Sequence, residues 1–315
     1  MFLKKGGVMK KIGFLIGADD SFPNAIIEKI NSRNVPSVKA EIIKIGGLKI
    51  NDMIGYNVVF DRVSYQVPYY ISILKLAILE GVKVINNPFS SFHDDNFFYN
   101  VLAYKMNLNV PRTAILPSKE HPFGISSDSM RNLIYPLNWD DIFNYVGFPA
   151  YIKPNINNSS HIFFKVYNKS EFFSAYDLTG NTVMLLQESI EFDEFYRCYV
   201  VGKKNVRVVN YNPDKPRHLR FISKPKPIDR DLKLDLEAMS IKICNALGID
   251  FNVVDFAIRD KIPYVVEFKN YTHSTGQDFL HNEYFDWLVD KTSDYLIELA
   301  KKRKVKPGYK NWIII

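Results

Sequence analysis

The sequence has only two cysteines among its 315 residues, Cys198 and Cys244. They fall in a predicted strand and a predicted helix, without the spacing of metal ligands. Two such residues make no disulfide framework of the kind that small secreted domains need. The shortage of cysteine therefore predicts a reducing, cytoplasmic setting.

Long apolar runs are also missing. No stretch reaches the roughly eighteen consecutive apolar residues that a membrane-spanning helix needs. Residues 1–17 place basic side chains before a short apolar run, but no cleavage-type site follows, so we expect a first strand and not a signal peptide. No membrane partner is expected.

Glycine does not occur where a dinucleotide-binding fold would need it. Gly13 and Gly17 lie in and just after the first apolar run, but they do not form the G-x-G-x-x-G fingerprint. A Rossmann oxidoreductase is therefore disfavoured. A structural or substrate-binding α/β domain is the preferred interpretation of this region.

The composition is otherwise that of an ordinary globular protein, with 47% hydrophobic and 24% charged residues, and the length suits two or three lobes. Near the N-terminus apolar runs alternate with helical patterns, and short links join them. This alternation predicts a parallel α/β sheet. The predicted strands are 11–16, 38–45, 57–60 and 82–85, and the predicted helices open at Pro23, capped by Ser21, and span 69–79.

Basic residues outnumber acidic ones, with 41 Lys and Arg against 34 Asp and Glu. The resulting formal net charge of +7 suits anionic ligands. Six basic residues fall in 301–310, which we interpret as a solvated tail or as a contact for a partner's acidic surface. Aromatic residues do not interleave with these charges, so no nucleic acid partner is expected. The apolar end at 312–315 indicates docking on the same chain or on a partner, including a second copy.

The stretch 252–270, NVVDFAIRDKIPYVVEFKN, carries the clearest chemical signal. Two β-branched and aromatic runs flank the polar turn 259–261, which predicts a hairpin. Asp255 and Glu267 lie on opposite sides of that turn, and Asn270 follows. Three oxygen donors of this kind suit Mg²⁺ shared with nucleotide phosphates. The alternative is a surface hairpin with solvated acids.

A second signal lies in the middle of the chain. The strand 150–153 ends at Lys153 and is followed by the polar loop NINNSS and another strand. Such a loop can fold over phosphates that the lysine neutralises. In the later strand LLQESI and the turn after it, Gln187 suits an adenine edge and Glu194 suits ribose hydroxyls. For each, an ordinary polar residue at a strand end is the alternative.

The order GFPAYIKP, polar loop, LLQESI, EFYRCYVVG, ALGIDFNVVDF and YVVEFKN resembles the ATP-grasp superfamily, close to glutathione synthetase and the RimK-type carboxylate-amine ligases. The resemblance covers nearly the whole chain. It implies an α/β N-terminal (pre-ATP-grasp) domain at 1–91, followed by an α+β ATP-grasp domain at 92–302. The latter consists of a small lid, about 113–188, and a C-terminal subdomain. A basic tail follows at 303–315.

The resemblance also implies roles for individual residues. The residues expected to bind ATP are Lys153 at the phosphates, Gln187, Glu188 and Ile190 at the adenine, and Glu194 at the ribose. The residues expected to hold Mg²⁺ are Asp255, Glu267 and Asn270. Arg197 and Arg220 are expected to meet phosphate or an acyl-phosphate intermediate. The implied activity is ADP-forming ligation of a carboxylate to an amine, with an amino acid or peptide as substrate.

Three positions depart from the family pattern. The loop after Lys153 contains no glycine, Asn96 stands where related proteins often carry lysine, and Lys269 stands where the usual asparagine of Glu-x-Asn would be. These departures keep a second hypothesis open, in which the chain is a non-catalytic nucleotide-binding or scaffold protein.

Overall fold

A computed structural model of the chain describes residues 9–18, 20–65, 67–89, 95–156, 163–222, 226–269, 275, 280 and 282–303. The chain divides into two units. The first comprises residues 1–92, 196–254 and 269–315, and the second comprises residues 93–195 and 255–268. The predicted domain boundaries stay a prediction.

The N-terminal region of the first unit contains a four-stranded parallel sheet in the order β2-β1-β3-β4, as the strand and helix alternation predicts. Its apolar strands are buried, and α1 packs Ile26 and Ile30 into the same core. The elements are β1 (Lys10–Leu15), α1 (Ser21–Ser32), β2 (Val38–Ile42), β3 (Val58–Asp61), α2 (Pro68–Leu79) and β4 (Lys83–Ile85).

Two details of this region differ from the prediction. β2 ends at Ile42, three residues before the predicted end, as the chain leaves the sheet towards Gly46 and Gly47. Ser21 is the first residue of α1 and not its cap. The capping position is Asp20, whose side chain makes no capping hydrogen bond.

A buried asparagine joins distant parts of the first unit. Asn86 follows β4, and its Oδ1 accepts hydrogen bonds from the backbone N–H groups of Asp250 and Phe251 at 2.9 and 2.8 Å. Its Nδ2 donates to the carbonyl of Phe251 at 2.7 Å. Because a buried backbone needs such partners, Asn86 fixes the chain that enters β11 (Phe251–Arg259).

The second unit contains an antiparallel sheet in the order β5-β8-β6-β7. An aromatic cluster of Trp139, Phe143, Phe172 and Tyr176 packs on it. The elements are α3 (Asn96–Lys105), β5 (Thr113–Leu116), α4 (Trp139–Val146), β6 (Ala150–Pro154), β7 (Phe164–Val166), α5 (Lys169–Tyr176) and β8 (Met184–Glu188).

A third sheet has the order β10-β9-β11-β12. The predicted hairpin is confirmed, because Asp260 and Lys261 form its turn with positive φ angles of 53° and 64°. The remaining elements are β9 (Glu194–Val201), β10 (Asn205–Asn210), α6 (Arg230–Leu247), β12 (Ile262–Lys269) and α7 (Asn282–Lys301).

Both cysteines are buried and neither forms a disulfide, with Cys198 on β9 and Cys244 on α6. Burial raises the pKa of the Cys244 thiol to about 12, so it behaves as a small apolar side chain. Among the described residues, no helix has the length and apolar character needed to cross a membrane.

Candidate nucleotide and metal sites

Lys153 and Gln187 lie on adjacent strands of the second unit. Lys153 is half-buried on β6, opposite Leu185 of β8, and Tyr151 lies opposite Gln187 in the same antiparallel pair. Two register steps therefore separate the predicted phosphate lysine from the predicted adenine residue. Rigid strands hold both, which suits a site that needs fixed geometry.

The base of the polar loop after Lys153 is held by the start of α3. The backbone N–H of Asn96 donates to the carbonyl of Asn155 at 2.9 Å, and that of Phe97 donates to Asn155 Oδ1 at 2.9 Å. Asn96 Nδ2 donates to the carbonyl of Pro154 at 3.2 Å. Asn96, which the sequence marks only as a departure, thus anchors the chain beside Lys153. Loop residues 157–162 lie outside the described residues.

Gln187 is almost completely buried, with 2% of its surface exposed. Its Nε2 donates to Thr113 Oγ1 at 2.9 Å and to Asn100 Oδ1 at 3.5 Å. No motif in the sequence singles out Thr113 or Asn100. Their contribution depends on β5 and α3 meeting the end of β8.

Glu188, at the end of β8, carries an ion-pair network. Its carboxylate accepts from Arg112 Nε at 3.0 Å, from the Arg112 backbone N–H at 3.2 Å and from an Arg259 guanidinium nitrogen at 3.1 Å. Arg259 also donates to the Tyr264 hydroxyl at 2.8 Å. Burial opposes the charge of Glu188, but the arginine hydrogen bonds outweigh that penalty, so its pKa lies below the ordinary value.

Because of this network, we expect the free energy of unfolding to depend on pH through Glu188. Replacing Glu188 by Gln should lower the free energy of unfolding at pH 7 by about 1.5–3 kcal/mol, the range for hydrogen bonds to charged groups. Because the folded pKa is lowered, the contribution is present above the unfolded value of about 4.3 and is lost as pH falls through the folded value. Urea unfolding should show a smaller difference in the free energy of unfolding between wild type and Glu188→Gln at acid pH than at pH 7. The control Glu191→Gln, which changes an exposed residue, should leave the unfolding curves at both pH values unchanged. A difference independent of pH would contradict this assignment.

The predicted strand over 185–190 is shorter than expected. β8 ends at Glu188, and the Ser189 N–H donates to the carbonyl of Pro149 at 3.0 Å as the chain turns. Ile190 follows with 8% of its surface exposed, and Glu194 is exposed at the start of β9. The predicted adenine and ribose residues therefore follow one another along the end of β8 and the turn into β9.

Asp255 and Glu267 lie on the neighbouring strands β11 and β12. Asp255 is buried, with 4% exposed, and Glu267 is half-buried. Within the part of the chain that the structure describes, no group of three His, Cys, Asp or Glu side chains could hold a metal by itself. Two carboxylates fit a Mg²⁺ ion that takes its other ligands from nucleotide phosphate and water. Asn270 lies outside the described residues.

Arg197 lies against Tyr211 in the first unit, and Arg220 directly precedes Phe221, which is bridged to Tyr211. The Arg197 guanidinium carbon lies 3.9 Å from the ring centroid of Tyr211, and only 8% of Arg197 is exposed. Tyr211 forms a β-bridge with Phe221, the neighbour of Arg220. Arg220 is half-buried, and its Nε donates to the Lys215 carbonyl at 2.9 Å. The fold thus brings the two predicted arginines into one neighbourhood, where the ring orients one guanidinium.

Comparison with solved structures identifies the architecture. The chain superposes on D-alanine–D-alanine ligase from Bacillus anthracis complexed with ATP with a TM-score of 0.66 and 18% identity, covering 95% of this chain and 100% of that one. An ATP-grasp RimK domain protein from Sphaerobacter thermophilus gives a TM-score of 0.63 at 13% identity, covering 91% of this chain and 99% of the other. The chain has the ATP-grasp fold.

Sequence comparison points to the same group. The chain is 28% identical over 143 residues to D-alanine–D-alanine ligase of Clostridium perfringens, a match that covers 42% of this chain and 46% of that enzyme. The chain therefore spans about half the length of that curated relative. No family model matches the chain. The comparison confirms the predicted ATP-grasp fold and a mixed α/β protein with several sheets.

Proposed function

We propose that this chain is an ADP-forming ligase that uses ATP to join a carboxylate to an amine through an acyl phosphate. The observation that carries the proposal is the β6-β8 pair, which holds Lys153 and Gln187 two register steps apart within the ATP-grasp fold. The similarity to a D-alanine–D-alanine ligase supports an amino acid as one substrate. A peptide substrate is the alternative.

The nucleotide would bind along β6 and β8. Lys153 would neutralise the phosphates, Gln187, Glu188 and Ile190 would contact the adenine, and Glu194 would bind the ribose hydroxyls. Glu188 would act through its main chain, since Arg112 and Arg259 hold its carboxylate. A backbone contact suits the adenine edge because a strand presents donors and acceptors at fixed spacing.

Asp255, Glu267 and Asn270 would hold Mg²⁺. When bound, the ion supplies neutralisation of phosphate charge. Asp255 and Glu267 would position the ion, because the two residues lie on paired strands.

The chemistry runs in two steps. A carboxylate oxygen attacks the γ-phosphorus of ATP, the bond to the bridging oxygen breaks, and ADP leaves with the electron pair. The amine then attacks the acyl carbon, phosphate leaves with the electrons of the C–O bond, and the nitrogen releases a proton to solvent. Arg197 and Arg220 would stabilise the negative charge that gathers on the transferred group in both steps.

The proposal includes the finer organisation that the sequence suggests. It keeps an N-terminal pre-ATP-grasp domain at 1–91, an ATP-grasp domain at 92–302 with its lid at about 113–188, and a basic tail at 303–315. It places the protein in the cytoplasm with no nucleic acid or membrane partner, and leaves a second copy as a partner for the apolar end. Residues 304–315 lie outside the described part of the chain.

A non-catalytic nucleotide-binding or scaffold protein is the second candidate. The specific observation in its favour is that Asn96 supports the backbone at Pro154 and Asn155, in place of the lysine of related proteins. Lys269, the last residue of β12, adds a cation close in sequence to Glu267.

A trapping assay separates the two candidates. The protein is incubated with ATP, Mg²⁺, hydroxylamine and a panel of acids that includes D-alanine. A ligase should give ADP, phosphate and a hydroxamate with at least one acid, because hydroxylamine intercepts an acyl phosphate. AMP and pyrophosphate would instead indicate adenylation. ATP binding without ADP formation across the panel would favour the binding protein.

A further inference from the structure

The side-chain amide of Gln187 has two possible orientations, and they would select different purine bases. With the oxygen facing a base, the amide accepts from an amino group, as adenine offers. With the nitrogen facing the base, it donates to a carbonyl, as guanine offers at the same position. The groups behind Gln187 decide between the two.

Thr113 is the first of these groups. Its hydroxyl has one proton, which it donates to the Pro111 carbonyl at 2.9 Å. Towards Gln187, 2.9 Å away, the hydroxyl can therefore only accept. An acceptor at that distance requires the nitrogen of the Gln187 amide.

Asn100 is the second. Its Nδ2 donates to the carbonyl of Asn96 at 2.7 Å, so its Oδ1 is the atom that lies towards Gln187, at 3.5 Å. The Asn96 carbonyl is itself fixed on the first turn of α3. Two independent hydrogen bonds, to Pro111 and to Asn96, thus present two acceptors to one amide.

We infer that Thr113 and Asn100 are specificity-determining residues, which lock the Gln187 amide with its carbonyl oxygen towards the base and so select ATP over GTP. The inference rests on the proposed nucleotide site and adds the residues that set its base preference. Gln187 is 2% exposed and Asn100 is 9% exposed, so solvent does not compete strongly for these hydrogen bonds. Thr113 and Asn100 act on the nucleotide through Gln187 and are positioning residues.

The test compares binding of the non-hydrolysable analogues AMPPNP and GMPPNP, each with Mg²⁺, by calorimetry on the full chain. The wild type should prefer AMPPNP by about tenfold or more, the scale of one mismatched polar contact. Thr113→Val, which keeps the side-chain shape but removes the acceptor, should lower that ratio by about fivefold or more, chiefly by strengthening GMPPNP binding. Thr113→Ser keeps the hydroxyl and should keep the ratio.

A second background shows whether the effect passes through the amide. In Gln187→Leu, the side chain has no hydrogen-bonding group, so no flip can turn a donor towards the base. Adding Thr113→Val to Gln187→Leu should therefore leave the AMPPNP to GMPPNP ratio unchanged. The same fall in both backgrounds would overturn the inference, because it would show a general loosening of the site.

The remaining outcomes are equally decisive. An unchanged ratio in Thr113→Val, with AMPPNP still preferred, would overturn the inference and leave the proposed function intact, since main-chain contacts would then set the preference. Failure of the wild type to bind either analogue would overturn both.

Discussion

Asp255→Asn combined with Glu267→Gln is expected to abolish Mg²⁺-dependent ADP formation while the protein stays folded. Each change removes one negative charge with almost no change in volume. A Mg²⁺ ion shared with nucleotide phosphates needs such charges, and losing several kcal/mol of charge stabilisation lowers the rate by about a thousandfold or more. ADP release in the presence of Mg²⁺ measures the loss, and circular dichroism verifies the fold.

The matched control is Asp260→Asn, which removes an acidic side chain from the turn of the same hairpin. Asp260 is exposed and its φ of 53° suits asparagine, so turnover should not change. Unchanged turnover in the double variant as well would show that these carboxylates hold no metal. The turnover of each single variant should lie between that of the control and that of the double variant, because each single variant retains one of the two carboxylates.

Arg220→Ala should cut the hydroxamate yield by about a hundredfold or more, the scale seen when one donor to a transition state is removed. Arg220 is anchored through its Nε to the Lys215 carbonyl, and its terminal guanidinium nitrogens would make the proposed contact with the transferred phosphoryl group. The effect should fall on the turnover number, with ATP affinity nearly unchanged, because Arg220 is not among the residues proposed to contact the adenine and ribose. Steady-state kinetics and calorimetry measure the two quantities separately.

Lys226→Ala is the control for Arg220, since it removes one exposed positive charge from the lysine- and arginine-rich segment 214–226, which contains Arg220. It should leave turnover unaffected at moderate salt, where exposed charges are screened. Equal losses of turnover in both variants would mean that the overall positive charge of residues 214–226 matters, and that the Arg220 guanidinium has no specific role. Arg220→Lys should recover only part of the rate, because lysine keeps the positive charge but lacks the two terminal nitrogens with which a guanidinium binds two oxygens at once.

The sequence alone determined the elements and their kinds. The strands β1, β3, β11 and β12 are rich in aliphatic and aromatic residues that favour sheets, so local composition was enough to predict them. The turn at Asp260 and Lys261 was equally readable, because polar residues interrupt two apolar runs. The ordered segments from GFPAYIKP to YVVEFKN likewise indicated the ATP-grasp fold, which the solved structures confirm.

The tertiary structure decided which polar side chains work together. Gln187 meets Thr113 across 74 positions of sequence and Asn100 across 87, and Asn96 meets Pro154 across 58. An asparagine or threonine can hydrogen-bond water in a loop or another side chain in a core. Its residue type alone therefore does not indicate its hydrogen-bond partner. Glu188 shows the same limit, since the sequence suggested an adenine contact and the fold commits its carboxylate to Arg112 and Arg259. Burial makes such pairings necessary, and only the packed chain fixes which groups are buried side by side.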